Sequence, residues 1–394
     1  MNLGGDRSKF VIIKPKIAPP PLCNQYKEGF CDRGDNCNFS HVIETEPTIK
    51  PDSLLYFLER TVTRQACQYT VLRRTLEGNG FVRVIEPRSK ITSPIHIYFC
   101  CRYPSNNVIL PSHTLISHFP NFYELTNKAC MALNLAEFDF VPKTFTLPRC
   151  KNDFLMHLQN FNNSVDLWIV KPFDSKQAVG VQILSSQEVL NKCTLNADSF
   201  LCSTYIKNPL LVQKRKIDLR LYVLVTHREQ GEIYLYRNGM VRFASQDYHY
   251  DPSTRHLSNM HITNCSINRH NESAITNMSI KELDSQLEPK RIDWEPVHHL
   301  IRCAVRSTIL CPKFQNEIYH SNKHRCFQLF GFDVLLDDQL RPYLLEVNNI
   351  PNMDAMSKNA GAVYQPDYDI KAKLLTDMLN LLFFNCQDGD FEKI

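Results

Sequence analysis

The stretch Phe327 to Pro351, FQLFGFDVLLDDQLRPYLLEVNNIP, constrains the chain most. Phe327 to Leu336 and Arg341 to Val347 are rich in β-branched and aromatic residues, with the turn signal Asp337-Asp338-Gln339 between them, so the segment predicts a tight hairpin. Side chains alternate faces along a strand, so Glu346 and Asn348, two apart, point the same way in any register. An even number of loop residues would bring Asp333 of the partner strand to that face. Two carboxylates and an amide oxygen would then meet beside Leu335 and Leu345, a costly place for bare charge. Such oxygen-only clusters suit a hard cation such as Mg²⁺, which takes one or two carboxylates and shares its remaining shell with nucleotide phosphates. A solvated hairpin carrying ordinary surface acids is the alternative these residues leave open.

The 394-residue chain is long enough for a large core and for two or three domains. Hydrophobic residues at 43% and charged residues at 22% are those of a globular protein, and a net charge of +4 does not by itself argue for an acidic partner. No apolar run approaches the ~18 residues of a membrane span. The N-terminus, MNLGGDRSKF, has no apolar signal core and does not place Gly second, so an intracellular protein without membrane attachment is expected. Most of the fifteen cysteines are scattered or lie in apolar runs and read as buried thiols.

Four residues near the N-terminus differ from that pattern. After an arm at 1–20 ending in Ala18-Pro19-Pro20-Pro21 comes Cys23-x7-Cys31-x5-Cys37-x3-His41. Three thiolates and an imidazole make the ligand set of a structural Zn²⁺ site, and so short a segment needs the metal to fold. The spacing resembles that of CCCH zinc fingers and sets a finger at 21–43. Members of that family commonly bind single-stranded RNA, and Tyr26, Phe30 and Phe39 could stack on bases. Lys27 and Arg33 stand against Glu28, Asp32 and Asp35, a net −1, which keeps the electrostatic attraction to RNA weak and leaves protein contact open.

A linker at 44–53 precedes an apolar series from Leu54 to Leu76 that predicts one long helix, capped by Asp52 or Ser53 and stopped by Gly78-Asn79-Gly80. Strands are expected at Phe81–Ile85 and Ile95–Cys100, giving an α/β domain over 54–385. Later helices are expected at Trp294–Leu310, capped by Asp293 with Pro296 in the first turn, and at Asp369–Phe383, leaving 386–394 as a C-terminal tail. Lys216, Asp218 and Arg220 fall on one face of a strand, where they could simply be its wet side.

The string GFDVLLDDQLRPYLLEVNNIPN looks like the signature of the tubulin tyrosine ligase-like family, with the family's spacing from Asp333 to Glu346. FPNFYELTNK (119–128), DFVPKTFTLP (139–148), WIVKP (168–172), KIDLRLYVLVT (216–226), IYLYRNGMVRFA (233–244) and MHITNCSINRHNE (260–272) follow the family's order. DYDIKAKLLTDMLNLL (367–382) is more like the glutamylating branch. The resemblance implies an α/β (α+β) fold of ATP-grasp type, and a ligase that adds glutamate to a side-chain carboxylate through an acyl phosphate. It implies ATP and Mg²⁺, with the metal on Asp333, Glu346 and Asn348. ATP would meet Lys171, Gly180, Tyr205, Ile206, Lys216, Asp218, Thr263 and Asn264, and Arg220 and Asn264 would serve catalysis. Arg242, Ser266 and Lys290 would hold the incoming amino acid. The implied partners are free glutamate and a glutamate-rich tail such as that of tubulin, in the cytoplasm, on the cytoskeleton or in cilia.

Two segments depart from the family pattern. The R-G-[RK]-G-I phosphate loop is Gln177-Ala178-Val179-Gly180-Val181, which lacks one glycine and both cations. The Q-K-Y-I of the adenine strand is Ser203-Thr204-Tyr205-Ile206. They define the rival expectation: a catalytically weak or inactive ligase fold kept as an adaptor whose finger binds RNA or protein.

Overall fold

The computed structural model describes residues 53–59, 70–86, 91–100, 102–105, 108–160, 167–173, 178–195, 199–226, 231–268, 277–287, 294–315, 325–353, 365–384 and 386–394. The finger with Cys23, Cys31, Cys37 and His41, the arm, most of the linker, Gln177 and Lys290 lie outside these residues.

The first described elements are β1 (Leu55–Leu58), α1 (Thr70–Gly78), β2 (Val82–Val84), β3 (Ile97–Phe99) and β4 (Leu115–Ile116). They correct the long helix expected from Leu54 to Leu76. Leu55 to Leu58 form a fully buried strand with parallel neighbours β2 and β3 on its two sides. A strand covered on both faces reads as a continuous apolar run, which periodicity cannot separate from a buried helix. Helix α1 ends as the glycines imply: Gly80 has φ 85°, Phe81 N–H donates to Leu76 O at 3.0 Å, and Gly80 N–H donates to Glu77 O at 3.1 Å.

Helix α2 (Lys128–Asn134) is capped by Asn127, whose side chain accepts from the N–H groups of Ala129 and Cys130. Strands β5 (Thr144–Leu147), β6 (Leu167–Pro172), β7 (Gln182–Ser185) and β8 (Phe200–Thr204) make a separate antiparallel sheet in the order β5-β8-β6-β7. One face packs Phe145, Trp168, Val170 and Phe200 on Phe154 and Val189 of two covering helices. Because side chains alternate, Ile169, Lys171, Leu201 and Ser203 are left for the other face.

The large sheet centres on β10 (Arg215–Thr226), reached from β9 (Leu211–Val212), and continues with β11 (Ile233–Tyr236), β12 (Met240–Asp247) and β13 (Asn277–Ser279). After α3 (Glu295–Ile309) come β14 (Arg325–Leu336), β15 (Pro342–Asn348), α4 (Gln365–Phe384) and β16 (Phe391–Lys393). Strand β14 pairs antiparallel with β10 and parallel with β4, which joins the N-terminal strands to the rest. Leu219, Leu221, Val223 and Val225 of β10 share a core with Val297, Ile301 and Val305 of α3. Tyr222 and Leu224 on the opposite face share one with Leu374, Leu375 and Met378 of α4. Lys216, Asp218 and Arg220 continue that second face.

Both later helices form where expected, with shifted ends. Trp294 stands at the cap of α3 without a side-chain bond, Pro296 lies in the first turn, and Asp293 is outside the described residues. Helix α4 begins at Gln365, one turn before Asp369. Residues 386–394 are not a loose tail: Phe391–Lys393 pair with β11, because Phe391 buries its ring 4.9 Å from that of Tyr236.

Candidate active site

The β14–β15 hairpin aims its carboxylates by a bulge. Leu336 pairs with Pro342 and Val334 with Leu344, so the turn holds residues 337 to 341, an odd number. In strict register Asp333 would oppose Leu345, and Glu346 would face the other side of the sheet. The register shifts between Asp333 and Val334 instead, so Asp333 opposes Glu346 and Gly331 opposes Asn348. The extra residue, Leu345, returns all three side chains to one face. The even turn that the sequence reading required is absent, and the bulge supplies the missing parity.

Register also brings this face to Arg220 and Arg242. Asp333 lies across from Arg220 on β10, and Asp218 lies across from Arg242 on β12. Arg220 Nε donates to Asp333 Oδ1 at 2.6 Å and its Nη2 to Oδ2 at 3.2 Å. Arg242 Nε and Nη2 donate to the two oxygens of Asp218 at 2.6 and 2.7 Å, and Nη2 also reaches Asp333 Oδ2 at 2.8 Å. The Thr263 hydroxyl donates to Asp218 Oδ2. The result is a buried lattice of two carboxylates and two guanidinium groups bound by paired, charge-assisted bonds. Burial would raise the Asp333 carboxyl, but Arg220 and Arg242 outweigh it and hold the group well below the usual carboxylate range. Glu346 is raised, by burial and then by the charge of Asp333. Asn348 Nδ2 donates to Glu346 Oε1 at 3.2 Å.

Gly331 and Gly239 make room for Arg220. A Cβ on Gly331 would lie 3.3 Å from Arg220 Cδ, and one on Gly239 only 2.5 Å from the Arg220 carbonyl oxygen. The guanidinium stem therefore lies over a position where a larger residue would displace it.

A cleft opens between the small sheet and β10, β14 and β15. Ile169, Leu201, Ile206 and Leu345 give it apolar walls, and Lys128, Lys171 and Lys216 bring three amines to its lining. Burial pushes Lys171 down while Glu346 draws it back up. Lys216 is pushed down to about 7 by burial, against the pull of Asp218. Ser203 and Thr204 line the wall, and Tyr205 N–H is engaged with Leu167 O at 3.1 Å. The Tyr205 side chain is buried behind the wall. At the loop, Ala178 and Gly180 have φ of 60° and 73°. Ala178 thus keeps a backbone conformation suited to glycine without being one.

Asp333, Glu346, Asn348, Arg220, Arg242, Asp218 and Thr263 meet in the lattice, and none of them lines the cleft. The two are linked by Lys171, whose charge interacts with Glu346 and Asp333, and by Lys216, whose charge interacts with Asp218. Lys171, Lys216 and Ile206 lie along the cleft. Asn264 is half-buried next to Thr263, and Ser266 is the second residue of the short helix Cys265–Asn268. Lys128 is missing from the sequence reading. Its only signal is its place as the first residue of a capped helix, where a lysine is usually solvated. The oxygen-only set Asp333, Glu346 and Asn348 fits a hard divalent cation, and among the described residues no group of three or more His, Cys, Asp or Glu side chains competes with it. Apolar walls with three amines fit a nucleotide and its phosphates.

A profile of the tubulin-tyrosine ligase family matches residues 106–390, and one of C-x8-C-x5-C-x3-H type (and similar) zinc fingers matches residues 19–43. The chain is 33% identical over 297 residues to the tubulin monoglutamylase TTLL4 of Mus musculus, covering 69% of this chain and 24% of that protein. It is 32% identical over 300 residues to the tubulin polyglutamylase TTLL5 of Mus musculus, covering 69% and 21%. It is 27% identical over 335 residues to the probable alpha-tubulin polyglutamylase Ttll1 of Tetrahymena thermophila, covering 74% and 77%. The chain thus spans less than a quarter of the two mouse relatives' length. With its lattice, its cleft and a profile match from residue 106 to 390, it belongs to the tubulin-tyrosine ligase family.

Proposed function

We propose that the chain is an ATP- and Mg²⁺-dependent ligase that joins free glutamate to side-chain carboxylates of an acidic protein tail, with tubulin as the acceptor. The observation that carries this reading is the convergence of Asp333, Glu346 and Asn348 with Arg220 and Arg242, next to Lys171 and Lys216 of a lysine-lined cleft. Bound Mg·ATP would supply the phosphoryl group that activates the acceptor carboxylate. Asp333, Glu346 and Asn348 would hold the metal, and Lys128, Lys171 and Lys216 would neutralise phosphate. Arg220 would meet charge developing on the transferred group, and Arg242, whose Nε and Nη2 hold Asp218, would attract the carboxylate of the incoming glutamate by its charge. Thr263 holds Asp218, which holds Arg242 in turn. This reading places the protein's work in the cytoplasm, on the cytoskeleton or in cilia. The finger would carry one structural Zn²⁺ on Cys23, Cys31, Cys37 and His41.

A second reading is supported by the phosphate loop. With no basic residue at 177 or 179 and Ala178 in a left-handed conformation, the fold would serve as an adaptor, its finger meeting RNA or protein. Calorimetry of Mg·ATP binding, on the wild type and on Asp333→Asn combined with Glu346→Gln, separates the two when followed by labelled-glutamate transfer to tubulin. Metal-dependent binding that the double variant loses, together with transfer, is expected. A folded wild type that binds no ATP at millimolar concentration refutes the ligase reading.

A further inference from the structure

The Lys216 amine sits in an aromatic enclosure. Its Nζ lies 4.5 Å from the centre of the Tyr205 ring, 5.9 Å from that of Tyr248, and 3.4 Å from the Tyr205 hydroxyl. The Tyr205 hydroxyl lies 2.8 Å from His261 Nδ1, and His261 Nε2 lies 3.1 Å from the Thr254 carbonyl oxygen. Lys216, Tyr205 and His261 are all buried.

The polarity of this series follows from its far end. A carbonyl oxygen can only accept, so His261 Nε2 carries the proton and Nδ1 presents a lone pair. The Thr254 hydroxyl agrees, since it donates to Asp251 O at 2.8 Å and can only accept from Nε2. The ring stays neutral near pH 7, because burial and then Lys216 lower it to about 4. Nδ1 therefore accepts the Tyr205 proton, and the remaining lone pairs of the Tyr205 oxygen are left for Lys216, which as an ammonium can only donate. Tyr248 gives its own proton to Lys207 O at 2.6 Å, which leaves its oxygen as a second acceptor beside the Tyr205 hydroxyl.

We propose that Tyr205 and His261 are positioning residues for Lys216: together they present an oxygen lone pair that holds the ammonium at the cleft wall. Its service to nucleotide phosphate rests on the ligase reading. The other charged or titratable groups acting on Lys216 are Asp218 on its own strand, which favours the charged form, and Lys171 on β6, which opposes it. His249 and His256 act on His261. None of these stands between Tyr205 and Lys216 in the bonded series.

The test is a nucleotide-free pH titration of the full chain, read by NMR of ε-¹³C-labelled lysine, with Lys216→Met identifying the resonance. Tyr205→Phe removes one oxygen and keeps the ring. It is expected to lower the Lys216 midpoint by about one pH unit, a tenfold change in proton affinity. His261→Leu is expected to act in the same direction and less strongly, since the Tyr205 proton loses its acceptor at 2.8 Å and keeps only the Tyr248 oxygen. His261→Asn retains an acceptor and restores most of the midpoint. A midpoint unchanged in Tyr205→Phe, with the fold verified by circular dichroism, overturns the proposal even where His261→Leu fails to fold. Mg·ATP affinity is the second readout, expected to fall about tenfold in Tyr205→Phe. If the midpoints move as stated while the wild type binds no Mg·ATP, the ligase reading fails and the positioning role stands.

Discussion

Replacing Lys216 by Met isolates the energetic cost of the buried amine. The unfolded chain holds the Lys216 proton near the usual 10.5, whereas burial brings the folded value to about 7. Between these values the unfolded state binds more protons, so this group's contribution to stability rises with pH across the window and is lost as pH falls to about 7. The gap of about 3.5 pH units corresponds to roughly 5 kcal/mol, accumulating at about 1.4 kcal/mol per pH unit. Lys216→Met removes the term while keeping an unbranched apolar stem. In urea unfolding the variant should therefore be more stable than the wild type by several kcal/mol at pH 6.5. The difference should shrink by about 3 kcal/mol on going to pH 9.5. Subtracting the two curves cancels every other titrating group to first order. A difference that stays constant between pH 7 and 9.5 would refute the argument that this lysine is desolvated at a stability cost.

Asp333→Asn leaves two buried guanidinium groups short of a carboxylate. It should destabilise the protein by about 3 kcal/mol in the same assay, and a loss below about 1 kcal/mol would mean that Asp218 alone suffices. Gly239→Ala places a Cβ against the Arg220 carbonyl oxygen at 2.5 Å. Backbone must move, so a loss of at least about 2 kcal/mol is expected by thermal unfolding. Ala178→Gly and Lys214→Gly relax left-handed residues at φ 60° and 63°. Each should raise stability by up to about 1 kcal/mol, and a loss on either would show that the side chain contributes more than the conformation costs.

The hairpin was legible because its alternation, aromatic content and turn residues agree. The run at Leu55 to Leu58 was not, because a strand buried on both faces carries no period of two, and Val71, Leu72 and Leu76 of helix α1 supplied a true helical pattern that the run could be read as extending. The carboxylate pair could be guessed as residue types, but its alignment depends on Leu345 bulging, which no local preference announces. Lys128 was invisible for a related reason: a lysine at the start of a helix becomes part of a cleft only through packing against β15. The series from Thr254 to Lys216 joins residues up to 56 positions apart within one bond, at Tyr205 and His261, and lies wholly at the level of tertiary structure. Phe391 gave little hint of a strand because its partner, Tyr236, is remote in sequence.

The bulge also determines how the hairpin could re-pair without turning the site. At its present length, Asp333 and Glu346 share a face whenever the turn residues and the bulged residues add to an even number, and the turn at 337–341 with Leu345 bulged satisfies this. If Asp337 joined the strand opposite Pro342 and Leu345 returned to regular pairing, a shorter turn without a bulge would present the same three side chains. A residue deleted from the turn alone leaves every pair, and so the face, as it is, whereas one inserted in either strand between the closing pair and a carboxylate inverts it.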